Sequence, residues 1–323
     1  MTGAPLDLFP RPPADQEPAA LLALAAGAVL SVSVSGGKDS QAMLSHLDRL
    51  RHRHRWAGHA EAVHADLGRA EWPQTPAHVE TTTEATGLPL VVVRRDKGDL
   101  VDRIEDRLNT VSTIDPATAD GGSRPAKPFW PSAAQRYCTS DLKRGPIQKH
   151  LRTHGKTALV VSAMGMRAAE SHARARRPRI AIDAKVSASA YADLDPAEAV
   201  RAHLRGPLGR LVLSWQPIHD WSEARVWQEL STSAADLDRR RALHAAGRVD
   251  EALAGWRAHP AYALGNERLS CALCVLGSRS DLVNGAKHNP ELAARYAALE
   301  AQTGYTFRAD LAISDIIAEA EAS

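Results

Sequence analysis

One short glycine-containing segment carries residue types that can bind phosphate. Residues 35–40 read Ser-Gly-Gly-Lys-Asp-Ser and directly follow the strand-like apolar run 29–34. The glycines let the backbone turn tightly and direct successive N–H groups into one concavity. A helix beginning near Lys38 would direct the positive end of its dipole at the same point. The spacing differs from the Walker pattern, which has four residues between its first glycine and Gly-Lys-Ser/Thr. The predicted phosphate-binding residues are Ser35, Gly36, Gly37, Lys38, Asp39 and Ser40.

Two further segments carry charge where a nucleotide or its acceptor can bind. Asp66 closes the second strand candidate, and its carboxylate can meet a ribose, a base or Mg²⁺, although a solvated turn acid fits equally well. The string 165–174 contains Gly165, Arg167, Glu170 and Arg174. Its guanidinium groups can bind phosphate or sulfate as forks, with Glu170 orienting one of them. We favour an anion path over the alternative of a solvated charged face.

The three cysteines suggest metal chemistry. Cys271 and Cys274 are separated by two residues, and Cys138 begins the segment Cys-Thr-Ser-Asp-Leu-Lys that ends at Lys143. Thiolates at this spacing suit zinc or an iron–sulfur cluster. Tetrahedral zinc would need a fourth ligand, for which His259 or His288 is available. Reduced thiols that only pack in the core are the third interpretation.

The chemistry-bearing segments follow predicted strands. Strand candidates alternate with helices such as 76–86 and 99–108, which predicts a doubly wound, mostly parallel five-stranded sheet with ligands at the carboxyl ends of its strands. Residues 113–131 read as a long loop and 187–210 as a helical insertion. Asn289 and Pro290 read as the cap and the first residue of a helix, and Gly304 as its stop. The strand candidates are 29–34, 60–66, 88–94, 157–163 and 210–215.

Length and composition set outer limits. The 323 residues can form an N-terminal arm over 1–28, an α/β domain that carries the phosphate-binding loop over 29–220 and a helical lobe with the cysteine pair over 221–323. A formal net charge of +2 means that any nucleic-acid surface must be local. No apolar run reaches the ~18 residues of a membrane span. The stretch 21–34 has no basic leader and continues into the predicted loop, so we expect a cytoplasmic protein without a signal peptide.

Four segments together resemble the phosphoadenosine phosphosulfate reductase-like branch of the pyrophosphate-loop ATP pyrophosphatase superfamily. They are the loop 35–40, the segment 138–143, the Gly-x-Arg-x-x-Glu-Ser-x-x-Arg string 165–174 and Pro-Ile-His-Asp-Trp at 217–221. With the cysteine pair they span about residues 29–285. The resemblance implies an adenine nucleotide alpha hydrolase-like fold and cleavage of ATP between its α and β phosphates.

The context of the cysteine pair, from His259-Pro260 to Cys271, resembles DNA phosphorothioation sulfurtransferases. That likeness implies a [4Fe-4S] cluster held by Cys138, Cys271 and Cys274, with one iron open to sulfide. Cluster proteins of the branch often have a fourth cysteine, which this chain lacks. Sulfonucleotide reductases carry a nucleophilic cysteine in a C-terminal tail, whereas here no cysteine follows Cys274. We therefore expect sulfur transfer rather than sulfonucleotide reduction.

The resemblance implies a function and a set of site residues. An acceptor oxygen would attack the ATP α-phosphate with Mg²⁺ bound, pyrophosphate would leave, and sulfur would displace the adenylate. The implied acceptor is the DNA backbone, presented by partner proteins, and a cysteine desulfurase would donate sulfur. The oligomeric state stays open. Catalytic roles fall on Lys38, Asp39 and Arg167, ATP binding on 35–40, Asp66 and Gly165, and substrate phosphate on Lys143, Arg167, Glu170 and Arg174.

Three alternatives remain at this point. The first is a small-molecule enzyme, either a sulfonucleotide reductase or a sulfate adenylyltransferase subunit. The second is a subunit that senses ATP without catalysis. The third, tRNA thiolation, changes only the acceptor.

Overall fold

A computed structural model describes residues 17–112 and 127–322. Within them a six-stranded sheet forms the centre of the fold, built mainly from apolar runs of valine, leucine, isoleucine and alanine. The strands are β1 (Val29–Val34), β2 (Ala60–Ala65), β3 (Leu90–Val93), β4 (Leu159–Ala163), β5 (Ile180–Ile182) and β6 (Leu211–Trp215).

The strand order is β3-β2-β1-β4-β6-β5. All neighbours are parallel except β5, which pairs antiparallel with β6 through Ile182 and Leu213. The mostly parallel fold is confirmed, and five strands were correctly placed. The count of five was wrong, because β5 has three residues and gives no periodic signal. The order reverses between β1 and β4, where parallel sheets bind ligands.

Helices cover both faces of the sheet and make up most of the C-terminal part. The helices before β4 are α1 (Glu17–Ala25), α2 (Lys38–His54), α3 (Thr75–Glu84), α4 (Leu100–Ser112), α5 (Tyr137–Thr139) and α6 (Gly145–Leu151). A π-helical turn, Ser140–Arg144, joins α5 to α6. After β4 come α7 (His172–Ala175), α8 (Pro196–Arg205), α9 (Glu223–Glu229), α10 (Ala234–Ala245), α11 (Val249–Leu253), α12 (Pro260–Ala263), α13 (Arg279–His288), α14 (Pro290–Thr303) and α15 (Ile313–Ala322).

Several helix signals were correct and one was not. Helix α8 lies in the predicted insertion, and Asp195 caps it by accepting from Ala197 and Glu198 N–H. Helix α14 ends at Gly304, whose φ of 68° is the left-handed conformation expected of a stop. Asn289 precedes Pro290 as predicted, but its amide donates to Gly285 O over 2.9 Å instead of capping α14.

Two large apolar clusters hold the elements together. The first packs helices such as α2 and α8 against the sheet and includes Ala20 and Ala23 of α1. The second joins α4 to the C-terminal helices and buries Phe129 and Trp130. Residues 1–16 of the predicted arm and 113–126 of the predicted loop lie outside the described residues. Among the described helices, none combines the length and apolar character needed to cross a bilayer.

Candidate functional site

The segment 35–40 forms a tight turn between β1 and α2. Gly36 has a φ of 74°, which non-glycine residues rarely adopt, and Gly37 occupies the N-cap position of α2. Ser40 Oγ accepts from Ser35 N–H at 3.1 Å and donates to Gly37 O at 2.9 Å. The serine hydroxyl thus fixes the turn from inside. The positive end of α2 lies at the carboxyl edge of the sheet, where an anion is stabilised.

The C-terminal helices cover this loop. Tyr262 of α12 accepts a hydrogen bond from Lys38 N–H at 3.0 Å through its buried hydroxyl. A methyl group added at Gly36 would lie 3.5 Å from Leu269, so this side chain is also in contact with the turn. The loop is therefore enclosed by residues more than 220 positions away in sequence.

The Lys38 side chain is 4 % exposed and packs between α9 and α12. Its Nζ lies 3.4 Å from Glu223 Oε1, and the ring centres of Tyr262 and Trp227 lie 5.2 and 5.6 Å away. Asp39 Oδ2 lies 3.8 Å from Nζ, so two aromatic faces and two carboxylates, one of them the exposed Glu223, stabilise the ammonium group. A phosphate entering the loop would supply a stronger counter-charge than Glu223.

Arg167 connects the loop to the end of β4. It is 5 % exposed, and its Nε forms an ion pair with Asp39 Oδ1. Gly165 allows the close approach, since a Cβ there would lie 2.9 Å from Asp39 O and 3.0 Å from Ser40 Cα. Three predicted residues, Gly165, Arg167 and Asp39, are thus in direct contact at one edge of the sheet.

Glu170 organises the basic groups beside Arg167. Its Oε2 accepts from Arg167 N–H at 2.9 Å and pairs with Arg174, and Arg268 approaches its Oε1 at 3.9 Å. Burial raises the pKa of Glu170, but the Arg167 N–H and the Arg174 charge outweigh it and lower that pKa below its usual value. Arg268, which the sequence did not single out as an anion ligand, joins the predicted basic group.

Asp66 lies at the end of β2, as predicted, but its carboxylate is engaged. Oδ1 accepts from Gly68 N–H and Oδ2 from Arg94 Nε, both at 2.7 Å. This arrangement favours the turn-acid interpretation. The Asp39 carboxylate is likewise paired with Arg167, so both predicted carboxylates are engaged by other groups of the protein.

A histidine that the sequence analysis did not select lies behind the loop. His64 is 3 % exposed, with Nδ1 3.0 Å from Val34 O and Nε2 3.3 Å from Glu71 Oε2. Burial lowers the pKa of His64, but Glu71 and Val34 O outweigh it and raise the pKa above 6.5. The residue was missed because it stands inside a strand, where an isolated histidine gives no motif.

The three cysteines lie in or beside the second apolar cluster, although Cys138 and Cys271 are 133 positions apart. Ala272 N–H donates to Ala70 O at 2.9 Å, so the cysteine pair is attached near the end of β2. Burial, then the charges of Cys274 and Cys138, raise the pKa of the Cys271 thiol to about 12, whereas Lys143 lowers it. Lys143, predicted to bind substrate phosphate, is thus near enough for its charge to act on the Cys271 thiol.

These thiols fit a soft metal centre in kind, because they combine sulfur donors, apolar surroundings and one nearby cation. Among the described residues, however, the three sulfur atoms do not all lie within 4.8 Å of one another, so the structure defines no cluster site. Tetrahedral zinc at about 2.3 Å from each sulfur would bring them to about 3.8 Å. A single zinc ion would therefore require the three sulfur atoms to move closer together, whereas the thiolates of a cluster bind different irons and lie farther apart.

The two proposed zinc histidines do not join the thiols. His259 Nδ1 accepts from Ala261 N–H at 3.2 Å, and its Nε2 lies 3.1 Å from Thr75 Oγ1. Burial, reinforced by His78, lowers the pKa of His259 to about 3, so it is a neutral core histidine. His288 packs against the rings of His244 and Trp72.

Comparison with known proteins agrees with the fold. Residues 29–239, more than half of the chain, match the phosphoadenosine phosphosulfate reductase domain. No curated protein matches the chain. The matched range begins at β1, contains the loop 35–40, Gly165 and Arg167, and ends within α10. The chain therefore belongs to the phosphoadenosine phosphosulfate reductase domain family.

Proposed function

We propose that this protein is an ATP pyrophosphatase-type sulfurtransferase that adenylates an acceptor and replaces the adenylate with sulfur, and that the acceptor is the DNA backbone. Family membership indicates an enzyme that acts on nucleotide substrates in sulfur chemistry. The finer assignment depends on one observation, the glycine turn 35–40 at the start of α2 with Lys38 and the Asp39–Arg167 pair beside it.

In the first step, the loop binds the triphosphate and the protein stabilises departing pyrophosphate. Backbone N–H groups of the turn, the hydroxyls of Ser35 and Ser40, and Lys38 Nζ would contact the phosphate oxygens. An acceptor phosphate oxygen forms a bond to Pα while the Pα–O bond to the β-phosphate breaks. Arg167 holds the Asp39 end of the loop and would face the acceptor phosphate or Pα, with Arg174 and Arg268 beside it.

In the second step, sulfur attacks the acceptor phosphorus and AMP leaves with the bridging oxygen. Sulfide makes this a simple substitution, whereas a persulfide from a cysteine desulfurase also requires two electrons from a thiol reductant. Cys138, Cys271 and Cys274 would hold an iron–sulfur cluster beside the site. Such a cluster would supply one iron with an open coordination position.

A basic cavity supports an extended polyanionic acceptor. It has a volume of about 380 Å³ and lies beside Cys138, at the π-helical turn. Arg103 in its wall is paired with Asp141 at 2.9 Å, whereas the Arg136 and Arg144 side chains are exposed to solvent. Such a local basic surface can contact DNA phosphates although the net charge is only +2. The lining residues are Arg103, Arg107, Gln135, Arg136, Tyr137, Ser140 and Arg144.

The test is a reconstituted reaction with ATP, Mg²⁺, duplex DNA, cysteine, a cysteine desulfurase, a thiol reductant and the proteins encoded beside this one. We expect AMP and pyrophosphate in equal amounts, and phosphorothioate dinucleotides in digested DNA by mass spectrometry. Sulfur in tRNA nucleosides instead of DNA would identify tRNA as the acceptor. Absence of AMP formation with every acceptor would refute the proposal.

Two alternative functions can be distinguished with the same purified protein. A sulfonucleotide reductase would release sulfite from adenylylated sulfate with thioredoxin as reductant and without ATP. An ATP-sensing subunit would bind ATP and assemble with partners but produce no AMP, and Lys38→Ala would abolish assembly.

A further inference from the structure

A second cluster of metal-binding side chains lies at the opposite edge of the sheet. Glu61, the second residue of β2, is 2 % exposed. Its Oε1 lies 2.8 Å from His150 Nε2 and 3.0 Å from His154 Nε2. His59 Nε2 lies 3.4 Å from Oε2 of the same carboxylate. Glu61 precedes Asp66 by five strand positions, or about 16 Å, so this cluster is separate from the phosphate loop.

Three chain segments, including the strand that carries Glu61, meet at this cluster. The carboxylate comes from the start of β2, His150 from the last turn of α6, and His154 from the following 3₁₀ turn, Arg152–His154. Helix α6 continues from the segment that begins at Cys138. Within the described part of the chain, Glu61, His150 and His154 are the group of three potential ligands whose binding atoms all lie within 4.8 Å of one another.

The donor set is that of a zinc site. Imidazole nitrogen and carboxylate oxygen bind Zn²⁺ at about 2.0–2.2 Å, and tetrahedral geometry then separates the ligand atoms by about 3.4 Å. The Nε2 atoms of His150 and His154 lie 2.8 and 3.0 Å from Glu61 Oε1, so a small outward movement of each side chain would make room for the ion. His59 lies at the rim with its side chain 54 % exposed, outside this group of three, so water could complete the coordination.

Charge also argues for a cation. A carboxylate removed from water needs a compensating charge, and the side chains that bond to Glu61 are imidazoles. Imidazoles provide that charge only when protonated, whereas a divalent ion provides it with every histidine neutral. We propose that Glu61, His150 and His154 bind a divalent transition metal, zinc, that fastens α6 to β2.

The experiment uses the full chain with Cys138, Cys271 and Cys274 changed to serine, stripped with EDTA and titrated with Co²⁺ and Zn²⁺. Cobalt bound by nitrogen and oxygen gives visible d–d bands without the strong near-ultraviolet absorption of cobalt thiolates. We expect one equivalent of Co²⁺ with such a spectrum, displaced by Zn²⁺, and a higher unfolding temperature with Zn²⁺.

Matched variants locate the ion. His154→Gln alone should weaken Zn²⁺ binding at least tenfold, and Glu61→Gln with His150→Asn should abolish it. The control His52→Asn with His54→Asn, in the exposed last turn of α2, should bind as the parent does. The same unfolding temperature without metal and a normal circular dichroism spectrum verify folding of each variant. Undiminished binding by the folded His154→Gln variant and the folded Glu61→Gln, His150→Asn double variant, or no binding by the parent, would overturn the proposal.

Discussion

The hydroxyl of Tyr262 accepts a hydrogen bond from the backbone N–H of Lys38 at 3.0 Å, and so places a C-terminal helix on the first turn of α2. The contact joins residues 224 positions apart in a buried environment. The same N–H lies where a phosphate oxygen would bind. The loop and its C-terminal cover therefore form one site.

Tyr262→Phe should lower the free energy of unfolding by about 1–3 kcal/mol, because it leaves the Lys38 N–H without an acceptor. ATP can replace that acceptor, so nucleotide should raise the unfolding temperature more in the variant than in the wild type. Thermal unfolding with and without ATP measures both effects. Equal stabilisation of the two proteins would mean that phosphate does not reach this N–H.

If the proposed reaction holds, Lys38→Ala should reduce AMP formation by at least about 100-fold, since the ammonium group would balance the charge of departing pyrophosphate. Lys149→Ala is the control, because Lys149 is exposed and pairs with Asp96 away from the loop. Rates are measured as AMP released from labelled ATP. If both variants retain full activity, Lys38 has no catalytic role.

The Asp39–Arg167 ion pair should be strongly coupled, because Arg167 is 5 % exposed and loses its partner in a single variant. Asp39→Asn, Arg167→Gln and the double variant form a cycle. Urea unfolding should give a coupling free energy of about 1–3 kcal/mol. Additive effects, within about 0.5 kcal/mol, would show that the pair does not hold the loop to β4.

Gly165→Ala should cost about 1–3 kcal/mol of stability and reduce ATP affinity, because its Cβ would press on the backbone of Asp39 and Ser40. Gly206→Ala is the matched control, since a Cβ there meets no atom within 4 Å and the backbone is extended. Urea unfolding and calorimetric ATP titration compare the two. A larger loss of stability and of ATP affinity in Gly206→Ala than in Gly165→Ala would exclude a tight contact at Gly165.

His64 should make stability depend on pH. Its folded pKa is raised, so the His64–Glu71 contribution is fully present below about pH 6.5 and is lost as pH rises through the folded pKa. The unfolding free-energy difference between wild type and His64→Gln should therefore be larger at pH 5.5 than at pH 8.5. Urea unfolding at the two pH values checks this. An equal difference at both values would contradict a protonated His64 in the folded protein.

The parts of the fold that could be read from sequence are those encoded locally. The apolar run of β1, the glycines after it and the first residue of α2 lie within ten positions, and all were placed correctly. Strand β5 was not predicted, because three residues are too few to show a periodic pattern. The capping role predicted for Asn289 was wrong, because its amide bonds to the preceding helix instead of capping the next. Both features depend on tertiary contacts, which a local sequence pattern does not encode.

In the candidate site, too, residues within a local motif could be predicted and residues that act through distant partners could not. Arg167 and Gly165 could be selected because they belong to a motif, and they do contact the loop. Tyr262 and His64 could not, since each acts through a partner outside its own segment. His259 was offered as a metal ligand from its position near the cysteines, but the fold uses both of its ring nitrogens for core contacts.

The most direct test of the account is a crystal structure of the protein with Mg²⁺ and α,β-methylene-ATP, which cannot be cleaved between its α and β phosphates. We expect the phosphate chain on the turn 35–40, within hydrogen-bond distance of its backbone N–H groups, with Lys38 Nζ moved from Glu223 to a phosphate oxygen. Nucleotide bound elsewhere while the turn keeps its present contacts would contradict the central claim.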